Sequence, residues 1–224
     1  MKNNLKIAAA LLALAAAGAA QAQYLPKGWS VGLGATTVSP NTASGALSAP
    51  SAPNTQIDVG SDTQPTLWVR GMFGDHFGVE LPIGAGFRQD INGAGAISGV
   101  GRIGSIKALP ITLLGQYHFL APDAQVRPYL SAGMTYAKVS DARGSATLSA
   151  LNPINPTGGT GLSVESKWGA AVGGGFTLNV RDNWYVDASY LRVFLKTTAR
   201  LSSGQTISAK LNPDVIRVGV GYRF

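Results

Sequence analysis

The chain has no cysteine, which excludes disulfide staples and thiolate metal centres. Charge is scarce as well: 13% of residues are charged, 18 basic against 11 acidic. No basic run concentrates the +7 surplus, so nucleic-acid binding has little to stand on. Beyond residue 22, no segment stays apolar for the ~20 residues that a membrane-crossing helix needs. Any bilayer crossing therefore requires a closed β-barrel. What the sequence does contain is glycine, 29 residues of it, and recurrent alternation of apolar with small or polar side chains.

Residues 1–22 read as a secretory signal peptide. Lys2 and Lys6 charge its start, residues 7–17 form a short apolar stretch, and Ala20-Gln21-Ala22 is an A-x-A cleavage site. Residues 23–224 are then expected to form a single domain. Loss of Lys2 and Lys6 takes the formal charge from +7 to +5. An exported chain without disulfides needs another source of rigidity, and barrel closure supplies it by pairing every edge.

Side chains alternate between strand faces with a period of two. At the C-terminus Ile216, Val218, Val220, Tyr222 and Phe224 share one face, while Arg217, Gly219, Gly221 and Arg223 share the other. The same pattern places strands near 28–39, 64–74, 77–89, 104–119, 126–139, 166–179, 184–198 and 211–224. A phase break at Arg192 in the seventh predicts a bulge. Short turns at Gly74-Asp75-His76, Ala121-Pro122-Asp123 and Arg181-Asp182-Asn183 alternate with long Gly/Ser/Asn/Pro-rich connections. This is the plan of an all-β, eight-stranded antiparallel transmembrane up-and-down β-barrel in the cell outer membrane.

Aromatics mark the two rims. Trp29, Phe73, Phe77, Phe119, Trp184, Tyr222 and Phe224 fall at the turn end; Phe87, Tyr136, Trp168 and Phe194 fall toward the loop end. Trp29, Trp168, Trp184, Tyr222 and Phe224 are the expected membrane-interface set. Basic residues from Arg88 to Lys210 gather in the outer half, where anionic lipopolysaccharide would favour them.

Several stretches resemble the outer-membrane protein W (OmpW) family. They are the segment from Leu109-Pro110-Ile111 to Tyr117-His118-Phe119, then Arg127-Pro128-Tyr129, Lys167-Trp168-Gly169, Leu211-Asn212-Pro213 and Gly221-Tyr222-Arg223-Phe224. The resemblance implies an eight-stranded barrel involved in passage of small hydrophobic molecules, with alkane-uptake relatives. The aromatic-ended last strand also resembles the signal read by the outer-membrane assembly machinery, a further expected partner.

Gly99-Val100-Gly101-Arg102-Ile103-Gly104 matches a dinucleotide fingerprint in letters only, because no strand precedes it and no helix follows. His76 and His118 lack a Ser and Asp at motif spacing, and no hydrolase or metal motif occurs, so neither enzyme nor cofactor is expected. If the second turn folds about Asp75, Arg70 and Glu80 oppose each other as a lumen charge pair, with Arg217, Arg223 and Asp187 also inward. Trp68, Met72 and Leu114 are a candidate apolar pocket. If loop two folds about Ala96, Pro82 and Pro110 face each other, and neither can donate to the ladder. They form a candidate lateral seam.

The expectation is thus a monomeric barrel admitting small hydrophobic solutes, with side exit into lipid. A structural or surface-interaction barrel is the alternative, and a lipid-A-modifying enzyme a third.

Overall fold

The computed structural model describes residues 28–152, 159–181 and 183–224. The expected signal peptide, the start of the mature domain and Asp182 of the third turn lie outside the described residues.

Eight antiparallel strands close a ring. In order around it are β1 (Trp29–Ser39), β4 (Asp62–Phe73), β5 (Phe77–Gly84), β7 (Arg102–His118), β8 (Val126–Gly144), β10 (Lys167–Arg181), β11 (Trp184–Phe194) and β14 (Asp214–Arg223). Pairing of β1 with β14 and of β7 with β8 completes the closure. The period-two pattern explains the wall. Ile111, Leu113, Leu130, Met134, Val172, Phe176, Ile216 and Val218 all project outward and exposed, while their alternates are buried or half-buried. That inverts a soluble barrel and leaves the apolar band to lipid.

The inner face is narrow, and glycines on β1 and β14 leave room in it for two large rings. A Cβ at Gly32 would sit 2.1 Å from the Trp68 ring, and one at Gly221 would sit 2.2 Å from Tyr185. Small residues on these two strands therefore give both large rings their place.

Four features differ from the sequence expectation. The third strand is not continuous over 77–89: it breaks after Gly84 and restarts as β6 (Phe87–Gly95). The last strand starts at Asp214 rather than 211, behind Asn212 at φ +32° and Pro213. No bulge occurs at Arg192, since β11 holds register with β14 through Arg192↔Asp214 and with β10 through Ala170↔Phe194. Arg192 points outward to pair with Asp214 at 2.9 Å, while Val193 is buried inside. The phase is intact; it is the chemistry of the lumen that changes there.

Fourth, the long connections are structured. β2 (Ala43–Ser44), β9 (Leu162–Val164), β12 (Lys196–Leu201) and β13 (Thr206–Lys210) form a second sheet in the order β2-β13-β12-β9, and β3 (Thr55–Val59) pairs with β6. A short helix, α1 (Ala146–Ala150), is capped by Ser145, whose hydroxyl accepts from the Leu148 amide at 3.2 Å. Ile91, Ile103, Ile106 and Leu148 are the apolar core of this cap. Composition rich in Gly, Ser, Asn and Pro hid it, because its apolar residues are spread over four connections.

Candidate functional site: a charged floor, an apolar lumen and a gap in strand pairing

Arg70 and Glu80 are directly paired on β4 and β5. Arg70 Nη2 lies 2.6 Å from Glu80 Oε2 and 2.8 Å from Asp187 Oδ2. Arg217 completes a closed square, with Nη1 2.8 Å from Glu80 Oε1 and Nη2 3.0 Å from Asp187 Oδ1. Two guanidinium groups thus alternate with two carboxylates, and all four side chains are buried. Each charge faces two of opposite sign, which is what a site shielded from water demands.

Aromatic and amide groups surround the square. Tyr129 donates its hydroxyl to Asp187 at 3.1 Å, Gln116 donates to Glu80 at 3.2 Å, and the Trp68 indole N–H donates to Tyr185 at 3.1 Å. The Arg217 guanidinium lies over the Trp68 ring at 4.3 Å and Arg70 over Tyr129 at 5.0 Å. His118 stacks on Tyr129 and bonds Gln116 at 3.0 Å. Arg223 lies lower, over the Tyr185 ring. Together they fill the barrel's turn-end half.

Above this floor the lumen turns apolar. A cavity of about 130 Å³ is lined by Ile106, Leu114, Val193, Leu195, Leu211 and Val215 among others. Of the three residues expected in a pocket, only Leu114 lines it. Trp68 belongs to the floor, and Met72 lies below it with its sulfur beside Gly78. Parity gives the face of a strand residue but not its height, so it does not separate the floor from the cavity. Phe87 is likewise buried against this cavity and takes no part in an interface girdle. The lining residues Val193 and Leu195 do carry a sequence signal, apolar side chains at inward positions, but it mimics a slipped phase.

A second apolar cavity of about 140 Å³ lies inside the cap, lined by Ile57, Ile91, Ile97, Ile103, Leu148 and Leu162 among others. Ile57 packs against the apolar clusters of both the cap and the lumen.

The wall beside the lumen cavity is incomplete. The β5–β7 ladder ends at Glu80↔Leu114, and β6–β7 pairing resumes at Phe87↔Ala108. Between them residues 81–86 and 109–113 are unpaired with each other, although β5 stays on β4 and β7 on β8. Pro82 and Pro110 both edge this gap and line the cavity. They are not directly opposed. Pro82 pairs with Trp68 on β4, Pro110 with Ala137 on β8, and the register from Glu80↔Leu114 sets them two residues out of step. The hairpin turns later than Ala96, which accounts for the offset. Prolines suit such a gap because an unpaired N–H at membrane depth is costly, and they have none.

At the rims, Trp168 packs on Tyr136 at 4.9 Å toward the cap, and Trp184, Tyr222 and Phe224 make a chain of edge contacts at the turn end. Trp29 is half-buried at the start of β1. Among the described residues no cluster of His, Asp and Glu could hold a metal.

Residues 29–224, the whole described barrel bar one residue, match the family described as the OmpW family. The chain belongs to the OmpW family. It is 31% identical over 179 residues to outer membrane protein W of Vibrio cholerae, covering 76% of this chain and 79% of that protein. The crystal structure of the outer membrane protein OprG from Pseudomonas aeruginosa superposes with a TM-score of 0.77 at 25% identity, covering 88% of this chain and 95% of that one. A more distant relative, the dibenzothiophene metabolism operon protein PahQ of Pseudomonas aeruginosa, is 24% identical over 200 residues, or 88% of each chain. This OmpW-family protein is therefore an outer-membrane barrel. In barrels of this type short turns face the periplasm and long loops face outward.

Proposed function

We propose that this barrel admits small hydrophobic molecules from the cell surface and releases them sideways into the outer membrane. The observation that carries the reading is the join between the apolar lumen cavity and the unpaired gap edged by Pro82 and Pro110. The charge square supports it from below. A solute without charge gains nothing from crossing it, whereas the gap opens toward hydrocarbon. The cap cavity, separated by Ile57, would receive the solute first. A relative named for a dibenzothiophene operon is in keeping with an apolar, poorly soluble cargo. The barrel would act passively, as a monomer and without a cofactor.

Reconstituted liposomes given a labelled alkane-like solute test the proposal. Wild-type protein is expected to accelerate partition into the bilayer. Pro82→Val with Pro110→Val restores two backbone donors and is expected to slow partition several-fold while leaving a heat-modifiable barrel. Equal partition with and without protein would reject transport and favour a surface-interaction role for the ordered cap.

A further inference from the structure

Where the ladder resumes above the gap, Arg88 of β6 stands directly opposite Lys107 of β7. Lys138 follows on β8, opposite Leu109. Their neighbours Phe87, Gln89, Ile106 and Ala137 are buried inside, so the three basic chains lie on the outer wall. Like charges directly opposed on antiparallel strands destabilise the pair. The nearby carboxylates do not relieve it. Asp62 accepts the Arg88 backbone N–H and the Gln64 amide, each at 2.8 Å, and Asp90 pairs with Arg102 at 3.4 Å. Among the described residues, none forms an ion pair with the side chains of Arg88, Lys107 or Lys138.

Their position is as telling as their charge. The Lys107 stem crosses Gly86, where a Cβ would come 2.8 Å from its Cε and 3.0 Å from its Cγ. The ammonium group is thereby carried over the outer end of the gap. Below it, Leu81, Ile83, Ile111 and Leu113 face outward and exposed. Ile111 is level with Tyr136, which packs on Trp168 at the rim of the apolar band. Lys107 lies four residues farther out, about 13 Å along the strand, at headgroup height. Three uncompensated cations above an apolar slit are complementary to one kind of molecule, a phosphate carrying acyl chains.

We propose that Arg88, Lys107 and Lys138 bind the phosphate of a phosphorylated outer-leaflet lipid, whose acyl chains cover the gap and restrain lateral release. The regulatory half rests on the side-exit reading; the binding half does not.

The test uses the full-length protein in phosphatidylcholine bilayers with a minor fraction of diphosphoryl lipid A. Lipid retained on the extracted protein is counted by native mass spectrometry, and solute partition is followed in parallel. Wild-type protein should retain lipid A, and the combined Arg88→Gln, Lys107→Gln and Lys138→Gln variant should retain about tenfold less. Arg102→Gln, whose charge Asp90 already compensates, should behave as wild type. Excess inorganic phosphate should not displace the lipid; displacement would point to a free-anion site and overturn the assignment. Equal retention by wild type and the triple variant would also overturn it. Lipid A should slow partition through wild type but not through the triple variant, and equal slowing of both would overturn the regulatory half. If no partition occurs in either bilayer, the transport reading and the regulatory half fail, while retention still decides the binding site.

Discussion

Asp187 and Arg70 are 117 residues apart in the chain, yet Arg70 Nη2 donates to Asp187 Oδ2 at 2.8 Å in the centre of the barrel. That contact joins opposite walls and makes the floor a single electrostatic unit. Asp187→Asn would leave two guanidinium groups sharing the one remaining carboxylate of the square. The loss is expected to be about 3–5 kcal/mol, the range for removing one partner of a buried pair. Urea unfolding of the folded barrel in micelles measures it. A double-mutant cycle with Arg70→Met should give a double variant less destabilised than the sum of its parts, since no uncompensated partner remains between the two sites.

The apolar lumen makes a different demand. Val193→Asp would place a carboxylate in the apolar cluster of Leu195, Leu211 and Ala171. Solute partition should fall several-fold, whereas Val193→Leu should leave it near wild type. Wild-type rates in the aspartate variant would show that the solute does not pass through this cavity.

The chain's lack of cysteine gives a clean background for testing the gap. Ile83 and Ile111 are both exposed on the outer wall on its two sides. Ile83→Cys with Ile111→Cys, joined by a short reducible bifunctional thiol reagent, should block lateral release, and reductant should restore it. Modification of either single variant should have little effect. Unimpaired partition after complete cross-linking counts against a side exit here.

Glu165, between β9 and β10, takes Lys167 Nζ at 2.9 Å and Arg200 Nη2 at 3.2 Å. Hydrogen bonds from Lys167 and then Arg200 hold its carboxyl below the usual range. A depressed carboxylate stabilises the fold above its unfolded pKa, and that contribution disappears as pH falls through the folded value. The β9–β12 edge of the cap should therefore loosen on acidification, seen as lower amide-exchange protection, relative to the intrinsic rate at each pH, in Leu162–Val164. Glu165→Gln should show that looseness already at neutral pH and lose the dependence.

Phe224 closes the turn-end rim: its amide donates to Trp29 O at 2.9 Å and its ring meets Tyr222 edge-on. Deleting it should lower the yield of heat-modifiable barrel in cells more than it lowers the stability of barrel refolded in detergent. Equal losses would assign Phe224 to fold stability alone.

Much of this protein was legible from alternation. A period of two, with apolar residues on the wrong face for a soluble barrel, determined the strand positions, the lipid-facing wall and the inward set Arg70, Glu80, Asp187 and Arg217. The turn at Asp75 also determined the Arg70–Glu80 pairing, because a tight hairpin leaves one register. The rest depended on heights and neighbours that no single strand encodes. That Trp68 belongs with Tyr185 and Leu114 with Val193 follows from how eight tilted strands stagger around a closed ring. The offset of Pro82 from Pro110, the gap they edge and the opposition of Arg88 and Lys107 depend on a long hairpin whose turn position the sequence leaves open. Side-chain parity is a local property of the chain. Register across a long loop is decided only when the whole barrel and its cap pack together.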